Sequence, residues 1–496
     1  MKGETPTCQS PVWLFPTLTA LVFGVIFWGA LLIGPRMMNA DGDLGRHLTV
    51  GRYILATRRI PTTDLFSHTM PGERLIPHEW IAQLAFALAE RAFGLNGVVW
   101  LTAALLSTTY ALLMSGAKRL GLLAPLALVS SLGAALVGSV HWLTRPHIFT
   151  LLFFVVFLLA LERYRQGNQL RAVLPLPLLM ILWANTHGAF ISGIVLVLLY
   201  AVGAALDRQA KQCRIFLALG AALILAAWIN PVGPRLMLHS FDYLGQKFLV
   251  DLTQEYRSPD FHTVGFWAFA ALLLGSLALG WLLRRRLDWT SLLLLGVWSA
   301  FGLYSARNIP LYALVAVLIM GREGQAWLRD AAPHVTQSLT ALHAIDRQAW
   351  GWMWVGVAVA LGIGLQSLGI PIDATQMGNT FNPALFPVAA VDTLHSAMPE
   401  GAVFNEFAWG GYLLYRQWPA LTVFIDGQTD FYGETLSREY QAVIDASAQW
   451  DAILARYNVQ WVIIPPTRPL ATVLDLSPGW QRIYSDATAG VWQKLP

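Results

Sequence analysis

Eleven stretches of this chain are apolar enough to be read as membrane-crossing helices, and that feature constrains the fold more than any other. A spanning helix needs about 20 predominantly apolar residues, because only a helix or a closed barrel satisfies its backbone polar groups inside lipid. The stretches lie at 12–34, 95–115, 122–140, 146–161, 172–184, 189–206, 215–229, 264–283, 289–303, 309–320 and 350–370. Those at 172–184 and 309–320 are short, and 172–184 with 189–206 also reads as one span broken around 185–188. Composition agrees. Only 12% of residues are charged and 56% are hydrophobic, against about 25% charged in ordinary globular domains. A chain of 496 residues would otherwise suggest about three soluble domains; a mean hydropathy of +0.52 excludes them. The expected class is an α-helical polytopic membrane protein of about eleven transmembrane helices with a C-terminal α/β domain.

Charge placement orients the map, since short loops rich in Lys and Arg stay in the cytoplasm. With the N-terminus inside, the cytoplasmic loops carry Lys118 and Arg119, then Arg163, Arg165 and Arg171, then Arg208, Lys211 and Arg214, then the arginines at 284–286. The short outer loops carry only Arg145 and Arg307. An odd number of spans then leaves the C-terminal segment outside. The first span is too long for a signal-peptide core and no small-residue cleavage site follows it, so it reads as a retained anchor. Cys8 and Cys213 fall on the cytoplasmic side and build no disulfide framework. The net charge of +4 lies mostly in those short loops and gives no nucleic-acid signature. The expected location is the cytoplasmic (inner) membrane of the cell envelope.

The chain divides into an N-terminal tail with the first helix (1–34), a first extracytoplasmic loop (35–94), the remaining helices (95–370) and an extracytoplasmic tail domain (371–496). In the first loop the spacing of Leu48, Tyr53, Ile54 and Leu55 predicts an amphipathic helix, and 79–93 predicts a second along the membrane surface. A further outer loop covers 230–262. In the tail, 402–404, 421–425, 461–464 and 491–493 read as strands by β-branched and aromatic content. Helices at 436–448 and 450–457 between them suggest a small α/β domain.

Chemistry concentrates at the outer ends of the spans. Asp41-Gly42-Asp43 directly follows the first span. Carboxylates at i and i+2 suit a general base or a divalent cation such as Mg or Mn, although an Asp there is also a favoured helix cap. His47 stands one helical turn after Asp43, and His78 and Glu79 lie later in the same loop. His141, Arg145, His147, Asn185, His187, Glu255, Arg307 and Asn308 all sit at predicted outer ends. Ionisable groups at such depth usually face a cavity, and arginines there can grip phosphate bidentately. The stretch 322–348 holds His334 and His343 without metal spacing.

These features resemble the GT-C superfamily of membrane glycosyltransferases. The stretch from Asp41 to His47, Pro61-Thr62-Thr63-Asp64-Leu65-Phe66-Ser67 and His78-Glu79-Trp80 are similar to bacterial GT-C-like proteins. In the tail, Phe407-Ala408-Trp409-Gly410-Gly411-Tyr412, Asp426-Gly427-Gln428-Thr429-Asp430 and Val459-Gln460-Trp461-Val462-Ile463 follow the order of elements in oligosaccharyltransferase catalytic subunits. Gly410 stands where that family's motif has an acidic residue that helps read the acceptor sequon. The resemblance implies an inverting transfer from a polyprenyl-phosphate-linked sugar to a glycan, lipid or protein acceptor at the membrane. Asp41 or Asp43 would be the base, Glu255 an acidic metal or amide contact, and Arg307 the phosphate-binding arginine. Two other classes compete. A transporter or flippase for lipid-linked glycans needs polar residues threaded through mid-membrane and repeated halves, whereas here they gather at the ends. A non-catalytic cell-envelope assembly protein would act through its tail.

Overall fold

The computed structural model describes residues 14–245, 247–284, 286–369, 379–394 and 401–496. Cys8, Arg285 and the start of the tail at 371–378 lie outside these. A helix falls on each of the eleven apolar stretches. Among the described residues, six helical stretches are long and apolar enough to cross a membrane: Trp80–Arg119, Ala124–His141, His147–Gly167, Gly188–Leu206, Ala210–Ala227 and Val264–Leu282. Pro333–Asp346 and Gly351–Ser367, bent by 73° at their junction, make a seventh if read as one broken span. Leu18–Leu32, Leu170–Ala184 and Trp289–Tyr304 are apolar but shorter. At 1.5 Å per residue the 15 residues of Leu18–Leu32 reach only about 22 Å, less than the roughly 30 Å hydrocarbon core.

One helix organises the others. In Ile309–Ala331 every residue from Ile309 to Met320 is buried, as expected of a helix that is apolar on all sides. It packs between Ala124–Gly138 and Trp289–Tyr304. Ion pairs among the described residues mark the two ends of the bundle. At one end the buried Glu162 accepts from Arg165 (2.8 Å) and Arg322 (2.9 Å) and from the Tyr200 hydroxyl (2.7 Å). Near the loop arginines, Lys118 pairs with Asp346 (2.7 Å), which also caps the Leu18 amide (2.6 Å). His343 accepts the Ala124 amide at 3.1 Å, an ordinary structural role. The candidate residues of the sequence lie at the other end.

Among its described residues the tail folds as a four-stranded sheet, with β1 Ala402–Asn405, β2 Val459–Ile464, β3 Trp480–Ser485 and β4 Gly490–Lys494 in the order β1-β2-β4-β3. β1 and β2 are parallel and the other pairs antiparallel. The parallel pair requires a crossover, supplied by Gly410–Gln417, Thr429–Ile444 and Trp450–Arg456. Successive side chains point to opposite faces, and both faces of this sheet are covered. Phe404, Val462, Ile464 and Trp492 pack on the tail's own helices, while Val403, Trp461, Ile463 and Val491 join the core of the bundle.

Two expectations change here. The 421–425 stretch is not a sheet strand: Val423 exchanges backbone hydrogen bonds with the first loop, donating to the Phe66 carbonyl (3.0 Å) and accepting from the His68 amide (3.1 Å). β3 escapes a search for apolar alternation because it is an edge strand whose middle residues are exposed. The helix expected at 79–93 runs on into the next span as Trp80–Arg119, kinked at Phe93–Gly94, where Gly94 takes a positive φ of 62°.

The first loop is therefore built into the tail. Its helix Asp43–Thr57 crosses Gly410–Gln417 so closely that a Cβ on Gly42 would overlap the Ala408 carbonyl and one on Gly45 the Gly411 carbonyl. Beside this contact the Arg46 guanidinium, 4% exposed, pairs with the fully buried Asp426 and with Gln428. Asp64 closes the loop by accepting from the amides of Phe66 (3.1 Å) and Ser67 (3.0 Å) and from the Ser67 hydroxyl (2.6 Å). Breaking one side of a buried ion pair costs about 3–5 kcal/mol, because the other charge stays buried. Arg46→Met should therefore lower the thermal midpoint of the detergent-solubilised protein, with part of the loss recovered in R46M/D426L. An unshifted midpoint in R46M would contradict this account of the junction.

Candidate active site

Five charged residues from four separate segments meet at the end of the bundle away from the basic loops. Asp41 and Asp43 come from the turn into Asp43–Thr57, Arg145 from the turn before His147–Gly167, Glu255 from Gln254–Tyr256, and Arg307 from Ala306–Asn308. Arg145 is the hub. Its guanidinium lies 3.2 Å from Asp41, 2.6 Å from Asp43 and 3.2 Å from Glu255. Arg307 approaches the second Glu255 oxygen at 3.3 Å and donates to the Tyr256 hydroxyl. All five are partly exposed, so the cluster borders open space rather than lying sealed in the core.

Electrostatics separate the carboxylates. Burial pushes Asp41 up to about 6, against the opposing pull of Arg145. For Glu255 burial acts in the same direction but is outweighed by Arg145 and Arg307, which hold it well below the usual carboxylate range. Asp41 can thus exchange a proton near neutral pH while Glu255 stays ionised.

His187 positions Arg307. Its Nε2 accepts from the Arg307 guanidinium at 2.9 Å. A guanidinium can only donate, which at 2.9 Å outweighs the Ala189 amide 3.4 Å from Nδ1 and assigns the proton of the neutral ring to Nδ1, facing the Thr150 hydroxyl at 2.9 Å. The Thr150 oxygen also accepts from Trp183 Nε1 (2.9 Å). Burial, reinforced by Arg307, keeps the His187 pKa well below its ordinary value, so the ring is neutral.

Glu79 lies beside this group, 3.7 Å from His47, 3.8 Å from His78 and 3.9 Å from His187. Burial pushes His47 down to about 4, and its Nε2 has no hydrogen-bond partner among the described residues. His141 stands 3.8 Å from Glu255. His147 Nε2 is engaged with the His141 carbonyl at 2.8 Å. Asn185 is structural: its side chain accepts from Trp80 Nε1 (2.8 Å) and donates to the carbonyls of Ile181 and Ile229. Asn308 donates to the Phe301 carbonyl at 3.3 Å. Sequence reasoning missed Tyr256, Thr150 and the His239–Asp430 contact (2.8 Å). Tyr256 adjoins Glu255 and Asp430 closes a quoted motif, so position offered a hint for both; nothing marked Thr150.

No family model matches the chain, and no curated protein sequence matches it. Solved structures do. The chain is similar to the oligosaccharyltransferase of Archaeoglobus fulgidus in its apo form, with 12% identity and a TM-score of 0.53 over 90% of this chain and 69% of that one. It is similar to that protein in complex with Zn and sulfate (11%, 0.52, 90% and 67%). It is also similar to the archaeal oligosaccharyltransferase AglB from the same organism in complex with an inhibitory peptide and a dolichol-phosphate (11%, 0.51, 90% and 68%). The fold is that of an archaeal oligosaccharyltransferase. At this identity the likeness carries the fold alone.

Against the oligosaccharyltransferase motif, Gly410 has a steric explanation. A Cβ there would overlap the Ile425 carbonyl and reach 2.7 Å from the Asp426 Cα. No acidic side chain fits without moving the junction. The expected divalent cation also finds no prepared cage: among the described residues, no group of three His, Cys, Asp or Glu is arranged to hold a metal ion.

The rim of the site is tied to the tail through titratable groups. His239 on Arg235–Gly245 bonds Asp430. Burial works against the charged His239, but Asp430 outweighs it and the pKa rises above 6.5. Asp430 is also opposed by burial and falls below 3.8 through its bond to His239. A raised His contributes fully below its unfolded pKa and is lost as pH rises through the folded value. A lowered Asp contributes above its unfolded pKa and is lost as pH falls through the folded one. Hydrogen exchange in 235–245, corrected for intrinsic rate, should therefore accelerate as pH rises above 6.5, and H239Q should abolish that dependence. Protection that does not vary with pH would contradict the contact.

Proposed function

We propose that this chain is an inverting glycosyltransferase that moves a sugar from a polyprenyl-phosphate-linked donor to a glycan, lipid or protein acceptor at the outer face of the cytoplasmic membrane. What carries the reading is the convergence of Asp41, Asp43, Arg145, Glu255 and Arg307 at one end of a bundle with an oligosaccharyltransferase fold. A similar structure holds a dolichol-phosphate and a peptide, which supports a lipid-linked donor here. Counting the shorter apolar helices, the bent pair and Ile309–Ala331 as spans restores eleven. The N-terminus is then cytoplasmic, and the site and tail face outward, where soluble nucleotide sugars are absent and a lipid must deliver the activated sugar.

In this mechanism Asp41 takes the proton of the acceptor nucleophile as that atom bonds the anomeric carbon. The bond from that carbon to the phosphate oxygen breaks, and the phosphate leaves with the electron pair. Asp41 is assigned the base because burial raises its proton affinity, and it is the more exposed of the two aspartates, 27% against 16%. Asp43 fastens Arg145 by the shortest of its three contacts. Arg307, aimed by His187 and Tyr256, stabilises the departing phosphate. His47, His78 and Glu79 line the side on which a sugar would contact the first loop.

The test is transfer by purified protein from a panel of labelled polyprenyl-phosphate sugars to membrane-extracted glycans. Asp41→Asn should lower kcat about 10²–10⁴-fold, the usual worth of a general base. The wild-type rate should fall as pH drops below about 6, where Asp41 takes up a proton. Unimpaired transfer in D41N/D43N would contradict the mechanism.

A further inference from the structure

The carboxylates of Asp41, Asp43 and Glu255 are hard oxygen donors of the kind that bind divalent cations. They converge from two distant segments of the chain, yet the space they share is taken. One guanidinium, that of Arg145, lies within 3.2 Å of all three. An Mg or Mn ion at about 2.0–2.2 Å from the same oxygens would lie within about 5 Å of a group that never deprotonates in proteins. Like charges at that separation repel. On its other side Glu255 is held by Arg307 at 3.3 Å.

Arg145 is also held in place by its backbone. The preceding Thr144 amide donates to the Met37 carbonyl at 3.1 Å, tying the arginine's turn to the segment that leads into Asp41. The Arg145 amide donates to the Leu143 carbonyl at 2.9 Å, closing that turn. The neighbouring His147 does not complete a metal cage, since its Nε2 is engaged with the His141 carbonyl.

We propose that the Arg145 guanidinium is a built-in cation that fills the place of a divalent metal among Asp41, Asp43 and Glu255, so that the centre is assembled without one. Its consequence for catalysis, transfer that is indifferent to chelators, rests on the proposed glycosyl transfer. Its consequence for binding does not. Arg145 faces three carboxylates, whereas Arg307 faces that of Glu255 alone among the described residues, which makes Arg307 the less neutralised arginine and the one to meet phosphate.

The experiment titrates Mn²⁺ into metal-stripped protein in detergent and follows the free aqueous Mn²⁺ signal by electron paramagnetic resonance. Wild type should leave the signal undiminished at micromolar Mn²⁺, and its thermal midpoint should not move with Mn²⁺ or chelator. Arg145→Ala empties the place and should take up about one Mn²⁺ per chain, with loss of uptake in R145A/E255Q. R145Q serves the same purpose should R145A fail to fold. Stoichiometric uptake by wild type that E255Q abolishes would overturn the proposal, as would no uptake in a folded R145A or R145Q. Binding as expected without transfer from any donor would leave the cation assignment standing and remove the glycosyltransferase reading.

Discussion

The arrangement of this molecule depends on two backbones passing each other without side chains between them. Gly42 and Gly45 at the start of the first-loop helix meet Ala408 and Gly411 in the tail at a distance that admits no Cβ. The ion pair of Arg46 and Asp426 is sealed beside them. Buried charges are tolerated only when paired and hydrogen-bonded, so the pair and the close approach require each other. The turn that presents Asp41 and Asp43 is therefore fixed by the tail domain as well as by the bundle. Asp43 extends the same contact, since its carboxylate lies directly against Gly427, adjoining Asp426.

From that fixed turn the charge network grows outward. Three carboxylates share Arg145, Glu255 passes the connection to Arg307, and His187 and Tyr256 set the direction of the second guanidinium. The neutral imidazoles matter as much as the charges. A protonated His187 could not accept from Arg307, and burial keeps it from protonating. The result is a carboxylate with raised proton affinity linked through Arg145 and Glu255 to an arginine that has one carboxylate partner within 4 Å among the described residues. In the proposed mechanism the carboxylate serves as base and the arginine as anion grip, a pairing that suits displacement of a phosphate-linked group.

Much of this could be read along the chain because hydrophobic runs and charge placement are local properties. The helices follow from apolar length, and the positions of Arg145, Glu255 and Arg307 stood out because charge is costly beside a membrane core. What could not be read depends on partners far apart in sequence. The 421–425 stretch has the composition of a sheet strand, but its backbone bonds go to the first loop, over 350 residues away. Arg46 lies within the Asp41–His47 stretch with nothing in the sequence to mark its partner, and only the fold reveals Asp426 opposite it. Gly410 read as a departure from a motif, whereas in three dimensions it is a steric requirement. Metal ligation was a fair expectation for an Asp-x-Asp sequence, and the guanidinium that occupies the cluster comes from another turn altogether.

The most direct measurement is a structure of the protein bound to a polyprenyl phosphate without its sugar. This account predicts the phosphate within hydrogen-bonding distance of the Arg307 guanidinium, facing Asp41, with Arg145 still held by its three carboxylates. A phosphate bound instead at the opposite end of the bundle, beside Arg165 and Arg322, would contradict it.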